Sequence, residues 1–212
     1  GSPITAAVID TGVDARSVSH LCKYGHRSFS PVSSNPLVDI NGHGTHVAGL
    51  VEANAGSGNY CIVSLKFVHD VFSSKEETLK AMTSAIRYAI NINVKVINIS
   101  GGGMSSSEEE KALIKEALDK GIKVVVAAGN ESHDLDSTCN YFPACYDPRL
   151  IVVGNLKPNM ERNPSSNSGF VVNRWVIGTN LKSKLPGNKT GYMTGTSQAT
   201  AVVTGKTIAN LK

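Results

Sequence analysis

Ser197 is the side chain in this sequence best placed to act as a nucleophile, and it lies in the small-residue run Gly195–Ala201. The run closes a loop and opens an apolar stretch, which predicts a helix over 197–211. Unpaired N–H groups and the positive dipole end of a helix N-terminus favour a developing anion. Ser and Thr are also ordinary helix N-caps, so the catalytic interpretation requires partners elsewhere in the chain.

Two candidate partners precede the serine. Asp10 follows the apolar run Ile4–Ile9, which predicts a buried strand with a carboxylate at its C-terminal end. A turn or capping role is the alternative for this aspartate. His43 lies between two glycines at the start of a predicted helix. A histidine activates serine by taking its proton, and a buried carboxylate orients that histidine. Asp10, His43 and Ser197 therefore contain the three groups of a hydrolytic triad.

The run Asn41–Gly49 holds a second histidine, His46, three residues after His43. Two histidines at this spacing on a helix could bind a metal, but neither an acidic residue nor a third histidine follows at ligand spacing. We therefore expect one working histidine and one packed, hydrogen-bonded histidine. The spacing alone leaves open which is which.

Length and composition predict one domain over residues 1–212. The chain is 41% hydrophobic, which is enough for a single core, and its formal charge of +4 is modest. Its basic residues are scattered, so no nucleic-acid partner is expected. No apolar run approaches the ~20 residues of a membrane span, and no such span is expected. Cys139 and Cys145 are close enough in sequence to close one loop, which favours an oxidising compartment.

Alternating strand and helix patterns predict an α/β fold with a mostly parallel sheet flanked by helices. Short strands near 150–153 and 175–177 extend one edge, and 185–193 leads back to the serine helix. Ser74 and Glu77 form a capping box, and Ser106 and Ser107 cap a later helix. The main predicted strands cover 4–9, 61–68, 94–99 and 122–128.

Two further polar segments follow predicted strands. Asn130 follows the strand over 122–128, and its amide could donate to a tetrahedral oxyanion. The glycine-rich stretch Ser100–Ser107 exposes its backbone before a helix, which also suggests a phosphate loop. That alternative lacks the lysine of a nucleotide-binding motif.

The sequence resembles the subtilisin-like serine proteases (subtilases). The order Asp, His, Ser matches that family and differs from chymotrypsin-type enzymes and α/β-hydrolases. Four ordered motifs carry the resemblance: VIDTG at Val8–Gly12, HGTHVAG at His43–Gly49, AGN at Ala128–Asn130 and GTS at Gly195–Ser197.

The resemblance implies a three-layer fold and a serine endopeptidase that works through an acyl-enzyme. It assigns the catalytic role to His43, and the oxyanion hole to Asn130 with the Ser197 backbone N–H. A catalytically silent peptide-binding domain is the alternative function. The substrate-binding segments implied are Ser100, Gly101 and Gly102, which wall the first specificity pocket, together with Ala128 and Gly129.

The resemblance also implies partners and cross-links. We expect a peptide or protein substrate, a pro-segment outside this chain and a monomer. No cofactor is expected. Cys22 is expected to pair with Cys61, because both lie near strands that are neighbours in subtilase sheets. Glu131, Asp134 and Asp136 lie near the predicted pocket rim, where they would favour basic substrate side chains or be solvated loop charges.

Two departures from the family pattern have chemical consequences. The segment 50–60 is short where many subtilases carry a calcium loop, and it offers one carboxylate, Glu52. We therefore predict no calcium at that position, since the ion takes ~6–8 oxygen ligands. Gln198 replaces the usual methionine after the serine, which predicts resistance to oxidation at that position.

Overall fold

A seven-stranded parallel sheet forms the centre of the molecule. The computed structural model describes residues 1–70 and 74–212. Its strands are β1 (Ile4–Asp10), β2 (Arg27–Ser28), β3 (Tyr60–Lys66), β4 (Val96–Ile99), β5 (Lys123–Ala127), β6 (Ile151–Leu156), β7 (Arg174–Ile177), β8 (Leu181–Leu185) and β9 (Lys189–Met193). The helices are α1 (His43–Ala55), α2 (Lys75–Asn91), α3 (Glu108–Asp119) and α4 (Thr196–Leu211).

The strand order in the large sheet is β2-β3-β1-β4-β5-β6-β7, which places β1 and β4 at its centre. Ile9 of β1 pairs with Ile99 of β4. The residues that follow this pair, Asp10 and Ser100, therefore lie at the same carboxyl edge. In open parallel sheets, ligands bind outside this edge.

The helices form one layer on each face of the sheet. Side chains alternate along β1, so that Ala7 and Ile9 pack with α2 and α3, whereas Ala6 and Val8 pack with α1 and α4. The three-layer α/β fold predicted from the sequence is confirmed, and β6 and β7 extend one edge as predicted.

Serine caps begin the two helices of the α2–α3 layer. Ser74 Oγ accepts from the backbone N–H of Glu77, and Ser107 Oγ accepts from that of Glu110. Each bond satisfies one of the N–H groups that a helix start leaves unpaired. Of the two serines predicted to cap α3, Ser107 is the N-cap.

The antiparallel hairpin of β8 and β9 was not predicted from the sequence, which indicated only a connection over 185–193. The hairpin packs against α1, where Ser183 Oγ donates to the carbonyl of His46 at 2.8 Å. Gly49 of α1 approaches this contact so closely that an added Cβ would lie 2.4 Å from Ser183 Oγ. The hairpin thus holds the helix that begins at His43.

Both expected disulfides are present. Cys22–Cys61 has an S–S distance of 2.05 Å and ties the segment before β2 to β3. Cys139–Cys145 has an S–S distance of 2.01 Å and closes the loop between β5 and β6.

Candidate active site

The Asp10 carboxylate and the His43 imidazole are in direct contact at the carboxyl edge of β1. Asp10 Oδ1 lies 2.8 Å from His43 Nδ1 and also accepts from the Thr11 backbone N–H at 2.8 Å. Asp10 is buried, whereas 32% of the His43 side chain is exposed. The negative charge of Asp10 raises the pKa of His43; burial opposes this effect and the charge of Asp39 adds to it.

Asp39 fixes the start of α1 relative to β1, a role that the sequence did not reveal. Its carboxylate accepts from the backbone N–H groups of Gly42 and Thr45, both at 2.9 Å. It also accepts the Thr45 hydroxyl at 2.6 Å and the Thr11 hydroxyl at 2.8 Å. The position of His43 therefore depends on a buried carboxylate in the irregular segment before the helix, where periodicity gives no signal.

His46 is a packed residue. It is fully buried, and its Nε2 lies 3.1 Å from the carbonyl oxygen of Gly191 in β9. Burial lowers the pKa of His46, which favours the neutral ring. Because a carbonyl oxygen can only accept, Nε2–H donates to Gly191. The two histidines that the spacing left ambiguous thus differ in environment, and His43 alone of this pair contacts Asp10.

Ser197 lies at the N-terminal end of α4, as predicted, although the helix begins one residue earlier, at Thr196. It lies beside the end of β4. Its hydroxyl donates to the backbone carbonyl of Ser100 at 2.7 Å, and its own carbonyl accepts from Ser100 Oγ at 2.8 Å. Because Ser100 and Asp10 lie side by side at the sheet edge, this pair of bonds brings Ser197 to the edge that carries His43. The Ser197 hydroxyl is therefore hydrogen-bonded to the Ser100 carbonyl oxygen and not to His43.

A chain of buried polar side chains continues this link into the core. Asn98 Nδ2 donates to Ser100 Oγ at 2.9 Å, and Thr204 Oγ1 donates to Asn98 Oδ1 at 2.6 Å. All three residues are buried. A satisfied network of this kind fixes α4 against β4 and so orients the serine.

Asn130 lies just after β5 and contacts the start of α4. Its Oδ1 accepts from the Thr196 backbone N–H at 2.8 Å, while Thr196 Oγ1 accepts from the Gly129 backbone N–H at 3.2 Å. The first bond defines the amide orientation, because the oxygen must face α4. The side chain of this exposed residue can then use its NH2 group to donate a hydrogen bond to another partner.

The three acidic residues near the predicted rim make local hydrogen bonds. Glu131 Oε2 accepts from Asn167 Nδ2 at 2.8 Å, and Asp134 Oδ1 accepts from the Asp136 backbone N–H at 3.0 Å. Asp136 Oδ1 accepts from the Phe170 backbone N–H at 2.8 Å. These hydrogen bonds show that the three carboxylates stabilise the loops that follow β5.

The part of the chain that the structure describes contains neither a metal-binding cluster nor a membrane-spanning helix. No group of three or more His, Cys, Asp or Glu side chains there is arranged to hold a metal ion. None of the four described helices combines the length and the apolar character needed to cross a bilayer.

The parallel-sheet α/β fold, with an Asp–His pair beside a serine at a helix start, defines the class of structure. Comparison with known proteins defines the family. The family model described as "Subtilase family" matches residues 1–211. The chain belongs to the subtilase family.

Similar proteins agree with this assignment. "Subtilisin amylosacchariticus" of Bacillus subtilis subsp. amylosacchariticus is 37% identical over 97% of this chain and 54% of its own length. The "Major intracellular serine protease" of Bacillus subtilis (strain 168) is 33% identical over 97% of this chain and 67% of its own length. The crystal structure of a cold-adapted subtilisin-like serine proteinase superposes with a TM-score of 0.80 at 29% identity, covering 98% of this chain and 74% of that one. The chain spans about half the length of the first of these relatives.

Proposed function

We propose that this chain is the catalytic domain of a serine endopeptidase that works through Asp10, His43 and Ser197. The observation that carries the proposal is the 2.8 Å contact between Asp10 and His43 Nδ1. This contact holds the Nδ1–H tautomer, so the free Nε2 can act as a base. Family membership and the serine at the neighbouring helix N-terminus support it.

In the proposed reaction, Ser197 Oγ attacks the carbonyl carbon of the scissile peptide bond while His43 Nε2 takes its proton. Asp10 stabilises the resulting imidazolium, which then gives the proton to the leaving amine. Water then attacks the acyl carbon while His43 Nε2 takes its proton. The proton passes to Ser197 Oγ as the ester bond breaks and the carboxylic acid product leaves. Because the hydroxyl is bonded to the Ser100 carbonyl at 2.7 Å, the first step requires its rotation towards His43.

The oxyanion of the tetrahedral intermediate would be held by Asn130 Nδ2 and the backbone N–H of Ser197. Asn130 Oδ1 accepts from Thr196, which leaves the amide NH2 to donate beside the nucleophile. The family is itself the reference case for this effect: in a subtilisin, loss of the oxyanion asparagine lowers kcat by about 10²–10³-fold.

Substrate would bind as an added strand along Ser100, Gly101 and Gly102, with Ala128 and Gly129 on the opposite side. The backbone at Gly101 is open, since an added Cβ there would meet no atom within 4 Å. Strand addition uses main-chain hydrogen bonds, so it accepts many sequences. A catalytically silent peptide-binding domain would use the same segments.

We further propose that residues 1–212 form one peptidase domain that acts on peptides or proteins as a monomer, with a pro-segment supplied from outside this chain. The two disulfides support an oxidising compartment. The name of one similar protein describes that protein as intracellular.

Labelling by a fluorophosphonate tests the proposed mechanism. The reagent should form an adduct at Ser197, and the Ser197→Ala variant should lose both labelling and peptide hydrolysis. Labelling of a different serine, or full hydrolysis by the variant, would contradict the assignment. A folded wild-type protein that binds peptides but is not labelled would favour the silent peptide-binding domain.

A further inference from the structure

The ring of Tyr141 touches both of the backbone segments that flank the proposed substrate strand. A Cβ added at Gly102 would lie 2.8 Å from Tyr141 Cε1, and one added at Gly129 would lie 2.8 Å from Tyr141 Cζ. Real Cβ atoms do not approach other atoms this closely, so the ring packs directly against both glycines. The space between Gly102 and Gly129 is therefore occupied by an aromatic side chain of this chain itself.

The ring is held in place by the backbone on either side of it. Phe142 and Gly103 exchange two backbone hydrogen bonds, of 3.0 and 2.8 Å, which tie the Tyr141 segment to the substrate-binding segment. The carbonyl of Tyr141 accepts from the Cys145 backbone N–H at 2.9 Å. The Cys139–Cys145 disulfide closes the same loop.

The side chain is also fixed by its surroundings. Tyr141 is only 5% exposed and belongs to the core cluster on the α2–α3 side of the sheet. Glu131 and Asn167 crowd the Gly129 end, where the added Cβ would lie 2.6 Å from Glu131 Oε2 and 2.3 Å from Asn167 Nδ2. Moving the ring would break core packing, and the Gly129 end offers it no free space.

We propose that Tyr141 fills the first specificity pocket and restricts the substrate residue that supplies the attacked carbonyl to glycine, alanine or serine. The proposal rests on the proposed function, because Ser100–Gly102 and Ala128–Gly129 wall that pocket only if the substrate binds between them. Cores are close-packed, so a leucine or phenylalanine side chain would have to displace the ring. The selected substrates are peptides and proteins with a small residue before the scissile bond.

The experiment measures kcat/KM for tetrapeptide p-nitroanilides that differ only in the residue before the scissile bond: Gly, Ala, Ser, Leu, Phe or Lys. The wild-type protein should cleave the alanine substrate at least about 100-fold more efficiently than the phenylalanine substrate. Tyr141→Ala should reduce this ratio by at least about 10-fold, because it opens the pocket.

Two control variants separate pocket filling from general loss of packing. Tyr141→Phe keeps the ring and should keep the wild-type preference. Tyr88→Ala makes the same large-to-small change at a partly buried tyrosine on α2, whose hydroxyl donates to the Gly25 carbonyl. It should leave the preference unchanged.

Fluorophosphonate labelling of Ser197 separates failure of this proposal from failure of the proposed function, because the probe places no side chain in the pocket. The proposal is overturned if the wild-type protein is labelled and its kcat/KM for the leucine or phenylalanine substrate equals that for the alanine substrate. The wild-type profile decides this even if Tyr141→Ala does not fold. An unchanged preference in folded Tyr141→Ala also overturns it.

Discussion

At the scale of single residues, His43 and Glu110 both hold protons more tightly than usual, for opposite reasons. A neighbouring negative charge, that of Asp10, favours the charged form of His43. Burial disfavours the charged form of Glu110 and raises its pKa to about 7, although a hydrogen bond with Tyr146 opposes the shift. We therefore expect His43 to determine how activity varies with pH, and Glu110 to determine how stability varies with pH.

The pH dependence of hydrolysis should identify the working histidine. Since only the neutral imidazole is a base, kcat/KM should rise with pH through the pKa of His43, which lies above its ordinary 6.5. Asp10→Asn should move this limb to lower pH and reduce kcat by about 10⁴-fold. The measurement is a pH–rate profile for each variant.

The matched comparison is between the two histidines. His43→Gln should abolish turnover. In His46→Gln, kcat/KM should rise with pH over the same range as in the wild-type protein. If His46→Gln were folded but inactive while His43→Gln remained active, the catalytic role would belong to His46.

Glu110 should make the folded state less stable as pH rises. Between its ordinary pKa of 4.5 and its folded value of about 7, the folded state retains a proton that the unfolded state releases. The free energy of unfolding should therefore fall across this window by roughly 2–3 kcal/mol. Glu110→Gln should remove this loss.

Urea unfolding at pH 5 and pH 8 measures the effect, with Ser197→Ala as the background so that self-digestion does not interfere. Glu109→Gln is the control, since it makes the same change at an exposed position of the same helix. If both variants reduced the fall in the free energy of unfolding between pH 5 and pH 8 by the same amount, burial of Glu110 would not be the cause.

At the scale of elements, the contact between α1 and α4 carries the geometry of the site, because one helix begins at His43 and the other presents Ser197. A Cβ added at Gly205 of α4 would lie 2.6 Å from the Val51 carbonyl oxygen and 2.6 Å from Asn54 Cβ. The absence of a side chain at this position allows the two helices to touch.

Gly205→Ala should destabilise the protein by about 1–3 kcal/mol and lower kcat, because the helices must separate. The sign of the change in stability distinguishes a close helix contact from an open position, since replacing glycine by alanine in a free helix stabilises it by about 1 kcal/mol. Denaturant unfolding and peptide hydrolysis report the two effects. Lys206→Ala, the exposed neighbour, should change little, and increased stability in Gly205→Ala would disprove the close contact.

The elements that the sequence predicted best are those with long apolar runs. The buried central strands and the capped helices gave clear signals, and so did the motifs around Asp10, His43 and Ser197. The β8–β9 hairpin was missed because its strands have five residues each and mix lysines with apolar residues. Asp39 and Tyr141 were missed because they come from irregular loops, and only tertiary structure brings them to the site.

At the scale of the whole molecule, the two disulfides should differ in their contribution to stability. Cys22–Cys61 spans 39 residues and Cys139–Cys145 spans 6. In the chain-entropy model, closing the longer loop stabilises by about 4 kcal/mol and closing the shorter by about 2 kcal/mol.

Replacing each pair by alanine in the Ser197→Ala background should reproduce this order in urea unfolding. Alkylation of the unreduced protein should meanwhile leave all four cysteines unmodified. A larger loss for the 139–145 pair would mean that local packing, and not loop closure, dominates the effect.

The α4 helix, which carries the proposed nucleophile, comes from the last part of this chain, whereas Asp10 and His43 come from the first quarter. A ribosome making the chain therefore releases the acid and the base long before the residue that they activate. Under the proposed mechanism, no partial chain that ends before Ser197 can hydrolyse its neighbours or itself, however well its sheet has formed. Appearance of hydrolysis during refolding would then report the docking of α4 against β4 and α1.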